Sequence, residues 1–340
     1  MEKLENAIIE IKKAFPDMKI LENEPMSAHS SMRVGGAIRA LASPSDVSSL
    51  AKLCCILKEH ELAPLMLGNC TNTVFPDEGM PDVFAISTEK LTKLFLLPDG
   101  AIYAEAGVPL SRLAAFAQQN ALAGLEFASG IPGTVGGGLM MNAGAYGGEM
   151  KDAVESVVCY YLPEQRLYEV TAEKCGFEYR SSFFKKIPGN VILSAVFRLA
   201  PGDKDGIAAK MRELNERRRE KQPLDLPSAG SAFKRPEGHY AAALIDEAGL
   251  KGFSVGGAQV SEKHAGFVVN TGSATAADVH ELLKQVRKRV YDHSQVLLEP
   301  EIILYPPDYK LEDRGPQVPR NKFVDTGVIA MPEDEAQEDK

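Results

Sequence analysis

Tryptophan is absent from this 340-residue chain, and no stretch of it is apolar and uncharged over the length of a membrane-spanning helix. Such a helix needs about 20 predominantly apolar residues. The first residues, MEKLENAIIEIKKAFPD, carry charges where a secretion signal would have its hydrophobic centre. We therefore expect neither secretion nor a membrane span. The lack of tryptophan also weakens any role that depends on stacking aromatic side chains on bases.

Positive charge is scarce as well, since 38 Lys and Arg residues face 47 Asp and Glu residues, for a net charge of −9. Broad binding to nucleic acid or to anionic lipid requires Lys and Arg to neutralise phosphates. The sequence therefore argues against both kinds of partner. A localised basic site for a small anion remains compatible with this balance.

Cysteine is present but unpatterned. The odd set of five contains no CxxC pair, which indicates neither a disulfide framework nor a zinc site. The five are Cys54, Cys55, Cys70, Cys159 and Cys175. We expect no metal and a reducing, cytoplasmic location.

The chain length predicts two or three domains, and a composition of 44% hydrophobic and 25% charged residues is that of a folding protein. Periodicity, caps and turn residues predict helices over 4–15, 47–60, 110–120, 207–221, 241–248 and 276–293, and strands over 38–42, 63–67, 83–86, 94–97, 101–106, 154–161, 166–170, 191–199, 266–270 and 296–304. The strands from 154 to 199 favour an antiparallel sheet. The acidic, Pro-containing tail from residue 306 is expected to be mostly disordered.

Two segments of small residues are candidate binding loops. Gly68-Asn69-Cys70-Thr71-Asn72 follows a predicted strand, and such a turn can present successive backbone N–H groups to a phosphate, or can be a tight turn with no ligand. Residues 124–148 contain nine glycines, but they lack the GxGxxG spacing and the Lys-Ser/Thr ending of known nucleotide loops. The glycines indicate backbone close to an extended ligand, or close packing of a helix on a sheet.

Three further residues are of types that support catalysis. Arg180, in YRSSFF, could stabilise an oxyanion or simply be an exposed cation. Ser231, in SAGS, has an accessible hydroxyl, but no GxSxG elbow is present to support a serine hydrolase. Glu301 enters an apolar strand, where a carboxylate must be paired or serve a purpose, unless it lies at the strand edge.

A basic cluster and a histidine complete the candidates. Arg217, Arg218, Arg219 and Lys221 stand at a predicted helix end, where cations complement the helix dipole. His264 could be a ligand or base, or a hydrogen-bonded structural residue.

Together, seven segments in order between Ser30 and Leu304 resemble the UDP-N-acetylenolpyruvoylglucosamine reductase family. The segments are SMRVGG from residue 31, GNCTN from 68, GIPGTVGGGLMMNAGAYGGE from 130, YRSSFF from 179, KQPLDLPSAGSAFKRPEGH from 221, AGLKGFSVGGAQVSEKHAGFVVNTGSATAADV from 248 and LEPEI from 298. The short stretch between Arg180 and Ser231 is similar to the compact form of the family, which lacks an extra tyrosine loop.

The resemblance implies an α+β fold with two FAD-binding subdomains of the vanillyl-alcohol-oxidase type and a C-terminal substrate-binding domain. The expected divisions are a helical appendage at 1–28, FAD-binding subdomains at 29–90 and 91–203, a substrate-binding domain at 204–305 and the tail at 306–340. The implied protein is a cytoplasmic monomer.

The implied reaction uses noncovalent FAD and NADPH to reduce the enolpyruvyl group of a UDP-linked amino sugar, giving UDP-N-acetylmuramate for peptidoglycan. Arg180 and Glu301 match the family positions that stabilise the enol, and Ser231 matches the one that protonates the adjacent carbon. The residues expected to bind FAD are Gly68, Asn69, Cys70, Thr71, Asn72, Ser129, Gly130, Ile131, Pro132, Gly133, Thr134, Gly136, Gly137 and Arg180. Those expected to bind substrate are Arg218, Arg219, Lys221, Lys234, Lys251, Gln259, His264 and Asn270.

The chain departs from the family pattern in the loop that usually reads GxGSN and at two later positions. In the loop, Asn69, Cys70 and Thr71 replace the commoner residues; Thr71 retains the hydroxyl, whereas Cys70 removes a glycine. Ala243 stands where the family often has Lys, and Ile303 stands where it often has Arg. Two other functions remain open from the sequence: another FAD oxidoreductase of the same fold, in which flavin is often attached through His or Cys, and a non-catalytic nucleotide-binding scaffold. Neither loop contains His, and Cys70 is their only thiol. A non-catalytic protein need not retain Arg180, Ser231 and Glu301 together.

Overall fold

The structure is a computed structural model and describes residues 2–305. Its helices are α1 Glu2–Ala14, α2 Val47–Glu59, α3 Leu110–Gln119, α4 Val135–Met140, α5 Phe183–Lys186, α6 Lys204–Lys221, α7 Ala241–Glu247 and α8 Ala276–Ser294. Its strands are β1 Ile20–Pro25, β2 Ala37–Ala42, β3 Leu65–Leu67, β4 Thr73–Val74, β5 Met80–Ser87, β6 Leu94–Leu96, β7 Ile102–Glu105, β8 Leu122–Ala123, β9 Gly144–Ala145, β10 Gly148–Glu149, β11 Val154–Tyr161, β12 Arg166–Thr171, β13 Asn190–Phe197, β14 Ala200–Pro201, β15 Ser228–Ser231, β16 Ser254–Val255, β17 Ala258–Val260, β18 Phe267–Asn270 and β19 Ile303–Leu304. The tail prediction for 306–340 lies outside the described residues.

The first sheet has the order β1-β2-β5-β3, with β5 parallel to both β2 and β3. The predicted cap at the start of α2 is confirmed, because the Asp46 side chain accepts a hydrogen bond from the Ser49 backbone N–H at 2.8 Å. Helix α1, predicted as an appendage, instead belongs to this core: Leu4, Ile8 and Ile11 are buried against α2. Its apolar stripe requires such a partner.

The second sheet is antiparallel throughout, with the order β12-β11-β13-β7-β6, as the alternating segments predicted. Helices α3 and α4 contribute Leu113 and Leu139 to the core on this sheet. Helix α4 begins within the glycine-rich segment at Thr134, whose side chain accepts a hydrogen bond from the Gly137 backbone N–H at 3.4 Å. A core therefore holds the glycine-rich segment in place.

The third sheet, β15-β18-β17-β16, is also antiparallel and packs with α8. The strand predicted over 296–304 is short in the structure, where Ile303–Leu304 pairs in parallel with β4. Before it, Pro300 forms an antiparallel bridge with Phe233, flanked by hydrogen bonds from the Lys234 N–H to the Glu299 carbonyl at 2.8 Å and from the Glu301 N–H to the Ala232 carbonyl at 2.9 Å. This segment therefore runs from the end of β15 to β4.

Among residues 2–305, no helix is long and apolar enough to cross a bilayer. The same residues contain no cluster of three or more His, Cys, Asp or Glu side chains that could hold a metal ion.

Candidate active site

The two candidate binding loops lie against each other. A Cβ placed on Gly68 would be 2.9 Å from Thr134 Oγ1, and one on Gly133 would be 4.0 Å from Thr71 Oγ1. A side chain at Gly68 would therefore close the approach between the loops. We call Gly68–Asn72 and Ser129–Gly137 the cofactor loops.

The cofactor loops continue into the predicted catalytic residues. The Asn72 side-chain amide donates to the Glu301 carbonyl at 3.0 Å, and the Ile303 N–H donates to the Asn72 carbonyl at 2.9 Å. A Cβ on Gly230, next to Ser231, would lie 4.0 Å from the Thr71 carbonyl. Strand pairing thus brings 68–72, 228–231 and 301–303 to one place.

Arg180 and Glu301 form an ion pair although 121 positions separate them in the chain. Arg180 Nε donates to Glu301 Oε1 at 2.6 Å, and Arg180 Nη2 donates to the Gly144 carbonyl at 3.1 Å. Both side chains are largely buried, at 19% and 13% exposed. Ser231 is exposed, and its neighbour Ala232 accepts the Glu301 N–H. The three predicted catalytic residues are therefore adjacent.

Arg180 lines a cavity of about 790 Å³, which we call the large cavity. Its other lining residues are Gly144, Ala145, Tyr146, Gly147, Gly148, Glu149, Lys151, Asp152, Tyr179, Arg235, Pro236, Glu237 and Gly238. A smaller cavity of about 330 Å³ reaches the first cofactor loop at Gly68, Asn69, Cys70 and Thr71. The large cavity therefore lies at Arg180, and the smaller one lies at the first cofactor loop.

The cofactor loops fit a dinucleotide diphosphate. The hydroxyl of Thr71, the amide of Asn69 and the backbone of Gly133 are at least partly exposed and offer neutral donors, whereas Thr134 is buried. Cys70 has φ 47°, a conformation that favours glycine and fits its replacement of a family glycine. Burial raises the pKa of the Cys70 thiol to about 12, so it is neutral in this loop.

Arg218, predicted to bind substrate, lies instead against the second cofactor loop. A Cβ on Gly130 would be 3.1 Å from Arg218 Cδ and 2.5 Å from Asn215 Oδ1. Asn215 also donates to the Ser129 hydroxyl at 3.2 Å. Burial lowers the pKa of Arg218, although Tyr146 opposes this shift.

The remaining predicted cofactor residues divide by exposure. Pro132 and Gly137 are exposed, whereas Ile131 packs on the core. A Cβ on Gly136 would lie 3.1 Å from Ala106 Cβ, so this glycine permits close packing of α4 on the end of β7. Here the structure supports the packing alternative that the sequence left open.

Part of the predicted substrate set gathers around His264. Burial lowers the pKa of His264, and Lys251 and Lys221 lower it further by charge repulsion. Lys251 pairs with Asp246 at 2.6 Å, and the Gln259 amide donates to the Gly252 carbonyl at 3.2 Å. His264 Nδ1 accepts a hydrogen bond from the Gly266 N–H at 3.1 Å, and the lowered pKa favours the neutral imidazole.

Three predicted substrate residues have other partners. Lys234 pairs with Glu299, and Arg219 is exposed while its carbonyl accepts a hydrogen bond from Lys263 Nζ at 2.6 Å. Buried Asn270 donates to the Met32 carbonyl at 3.0 Å and accepts from the Gly272 N–H at 2.8 Å. The Asn270 amide therefore stabilises the fold, which leaves it poorly placed to bind a ligand.

The sequence analysis assigned no role to Asn142, Glu149, Tyr179, Lys185 or Arg235, although several of them lie in its candidate segments. Arg180 lies 4.9 Å from the Tyr179 ring, and the Tyr179 hydroxyl accepts from the Arg235 N–H at 3.1 Å. Lys185 Nζ donates to the Arg180 carbonyl at 3.2 Å, and burial and nearby Lys234 lower the pKa of Lys185. Tyr179 and Lys185 lie within five positions of Arg180 in the sequence. This proximity is the sequence signal that could have indicated a role for them.

Comparison with known proteins agrees with this architecture. A family model described as "FAD binding domain" matches residues 38–162, and one described as "UDP-N-acetylenolpyruvoylglucosamine reductase, C-terminal domain" matches residues 222–305. Together they define a two-part flavoprotein fold. The predicted α+β class with an FAD-binding part is confirmed.

Curated relatives name the family. A UDP-N-acetylenolpyruvoylglucosamine reductase from Limosilactobacillus reuteri is 44% identical over 85% of this chain and 95% of its own length. One from Caldanaerobacter subterraneus is 44% identical over 86% of this chain and 95% of its own. The crystal structure of the reductase from Thermus caldophilus is 33% identical, covers 85% of this chain and all of its own, and has a TM-score of 0.73. This chain belongs to the UDP-N-acetylenolpyruvoylglucosamine reductase family.

Proposed function

We infer that this chain is an FAD-dependent oxidoreductase that uses NADPH to reduce the enolpyruvyl group of UDP-N-acetylglucosamine enolpyruvate, giving UDP-N-acetylmuramate for peptidoglycan synthesis. The observation that supports it most is the Arg180–Glu301 ion pair, with Ser231 adjacent and the cofactor loops in direct contact. Family membership argues against the two alternatives, another FAD oxidoreductase of the same fold and a non-catalytic nucleotide-binding scaffold.

The cofactor loops would hold FAD without a covalent bond, with Thr71 and backbone N–H groups on its diphosphate and Thr134 capping the helix behind them. Bound FAD would accept a hydride from NADPH and pass it to the vinyl carbon of the substrate. The absence of His from both loops fits noncovalent binding. Arg218, beside Gly130, would supply a positive charge at this end of the site.

Arg180 would stabilise negative charge that develops on the substrate carboxylate during reduction. Glu301 orients its guanidinium at 2.6 Å, and the Gly144 carbonyl accepts a second hydrogen bond. A charge fixed in place before the reaction needs little reorganisation, and partial burial strengthens it.

Ser231 would donate a proton to the carbon next to the carboxylate. A serine hydroxyl is a weak acid, but an enolate carbon is a strong base, so the transfer is feasible where water has little access. The pairing of Ser231 with Phe267 in β18 would fix its position.

The five cysteines are all unpaired, which supports our proposal of a cytoplasmic, reducing location. We also propose a monomer, which sedimentation of the purified 36.8 kDa chain would test.

The decisive experiment measures NADPH oxidation by the purified chain with and without the enolpyruvyl nucleotide. We expect oxidation to depend on that nucleotide and the product to gain two hydrogens by mass spectrometry. After denaturation, FAD should separate from the polypeptide. The assignment would be refuted if the rate of NADPH oxidation were the same with and without the nucleotide, or if the denatured chain retained its flavin.

A further inference from the structure

Asn142 is a fully buried side chain behind the wall of the large cavity. Its Nδ2 donates both to Glu149 Oε2 at 3.0 Å and to the Glu178 carbonyl at 3.1 Å. Its Oδ1 accepts from the Lys151 N–H at 3.0 Å. One amide thus joins the 149–151 segment to Glu178, which is 36 positions from Asn142, and both its NH2 group and its oxygen are in use.

The group that Asn142 holds at residue 178 is the base of the turn that carries Arg180. Glu178 and Ser181 exchange backbone hydrogen bonds at 3.0 and 3.2 Å, which leaves Tyr179 and Arg180 at the tip. Arg180 has φ 55°, a left-handed conformation that costs free energy in a non-glycine residue. Such a turn persists only if its surroundings hold it.

Both ends of this turn, Glu178–Ser181, are tied to the end of α4. Asn142 holds the Glu178 carbonyl, and the buried Ser182 hydroxyl donates to the Met140 carbonyl at 2.8 Å. Helix α4 itself begins at Thr134 in the second cofactor loop. The turn that bears Arg180 is thus attached to the cofactor loop through one short helix.

We propose that Asn142 is a positioning residue, which fixes Arg180 relative to the cofactor loop and so sets the rate of reduction of the enolpyruvyl group. The proposal rests on the proposed function. Since a displacement of about 1 Å in a catalytic group can cost on the order of 100-fold in rate, loss of this amide should slow the reaction with the nucleotide.

Charge supports the same arrangement. Burial raises the pKa of Glu149, but hydrogen bonds from Lys151 and Asn142 and the charge of Arg180 outweigh it, so the pKa lies below its usual value. Glu149 is therefore an anion at neutral pH and holds Lys151 at 2.6 Å. The charged groups that face Asn142 are Glu149, Lys151 and, through Glu149, Arg180.

The first test uses Asn142→Gly, because Asn142 has φ 43° and glycine removes the amide without backbone strain. We expect a 10- to 100-fold slower half-reaction with the enolpyruvyl nucleotide. The half-reaction with NADPH and the flavin content should change less than about threefold. In an Arg180→Ala background, Asn142→Gly should add less than about twofold, because the group it positions is gone.

The second test uses Asn142→Asp, which places a new carboxylate beside Glu149. Two adjacent carboxylates raise one pKa, and only the protonated form can donate as the amide does. The nucleotide half-reaction of Asn142→Asp should therefore fall as pH rises through that raised pKa, whereas Asn142→Gly should lack this limb. Absence of the added limb would contradict the proposal even if Asn142→Gly failed to fold.

Asn190→Ala is the matched control. Asn190 is also a buried asparagine and donates to the Ile187 carbonyl at 2.9 Å, but Ile187 does not line the large cavity, whereas Glu149 and Lys151, the partners of Asn142, do. It should lower the unfolding temperature and leave the rate per bound flavin unchanged. Equal losses from Asn142→Gly with and without Arg180 would overturn the positioning role. A wild-type chain inactive toward the nucleotide would instead refute the proposed function.

Discussion

At the scale of single residues, Ser231 alone among the three proposed catalytic residues is exposed and takes no part in the Arg180–Glu301 ion pair. If its hydroxyl protonates the substrate carbon, Ser231→Ala should keep its flavin and react with NADPH at nearly the normal rate. The half-reaction with the nucleotide should slow by about 10²- to 10⁴-fold, the usual cost of losing a general acid. Stopped-flow absorbance of the flavin follows the two halves separately.

Two variants sharpen that measurement. Ser231→Cys should recover part of the rate, since a thiol can also donate a proton. Ser228→Ala should be much milder, because the Ser228 hydroxyl accepts from the Gly230 N–H at 3.2 Å within its own strand. A normal nucleotide half-reaction in Ser231→Ala would exclude Ser231 as the acid.

The cysteines give a second prediction at this scale. Burial raises the pKa of Cys54, Cys70 and Cys175 to about 12, and it also raises the pKa of buried Cys159. Only about one such thiol in 10⁴ is ionised at pH 8, and the thiolate is the reactive form. A disulfide reagent at pH 8 should therefore modify about one thiol per folded chain, the partly exposed Cys55, and all five after unfolding. Rapid modification of the folded Cys55→Ser variant would contradict this.

At the scale of elements, local signals account for what the sequence predicted. Strand β11 was predicted at the residues where it occurs, and α2 and α8 within one residue at each end, because caps and periodicity are local properties. Strand β1 was missed, since its sequence ILENEP is polar and ends in proline, as an edge strand allows. Its antiparallel pairing with β2 depends on tertiary structure, which the local sequence pattern does not reveal.

The second cofactor loop supports a prediction about flavin binding. A Cβ on Gly133 would meet Leu110 at 3.6 Å, an ordinary contact, so a side chain is sterically possible there. Gly133→Asp should nevertheless yield a chain without FAD, because a fixed anion would face the diphosphate. Gly133→Asn, of equal size and neutral, should retain much more FAD, measured as flavin released per denatured polypeptide. Equal flavin content in the two variants would show that charge at this position does not matter.

A carboxylate between β4 and β5 lies at the start of helix α8. Asp77 accepts hydrogen bonds from the backbone N–H groups of Ala276 and Ala277, at 2.8 and 2.9 Å, at the start of α8. Asp77→Ala should lower the free energy of unfolding by about 1 kcal/mol, and Asp77→Asn by less, as for other helix caps. Urea unfolding measures both. Equal stability of Asp77→Ala and wild type would mean that the contact contributes nothing in solution.

At the scale of the whole molecule, the sequence indicated the candidate site residues but not the contacts between them. Seven segments in register identified Arg180, Ser231 and Glu301, but the ion pair across 121 positions depends on the passage of residues 299–303 from the third sheet to β4. Asn142 was missed for the same reason, because its partner Glu178 is distant in sequence. Asn270 was predicted to bind substrate because spacing cannot reveal that its amide is already used.

The net charge of −9 opposes the approach of an anionic nucleotide, so binding must depend on cations placed inside the site. Arg218 and Arg219 are neighbours on α6 with different surroundings. Arg218 is partly buried against Gly130 and close to Tyr146, whereas Arg219 is exposed. A charge-assisted hydrogen bond in a partly buried site contributes about 1.5–3 kcal/mol, whereas an exposed cation contributes little.

We therefore expect Arg218→Gln to weaken binding of a phosphate-bearing ligand by about 10- to 100-fold, seen as a higher KM for the nucleotide or as lost FAD. Arg219→Gln should change both quantities by less than about twofold. Flavin content and KM should be measured on the same preparations. If Arg218 binds FAD, the purified variant contains less flavin; if it binds the nucleotide, flavin content stays normal and KM rises. Since a partly buried charge is poorly screened, the Arg218→Gln defect should persist at high salt. Similar effects of the two substitutions would show that the basic end of α6 acts only through its overall charge.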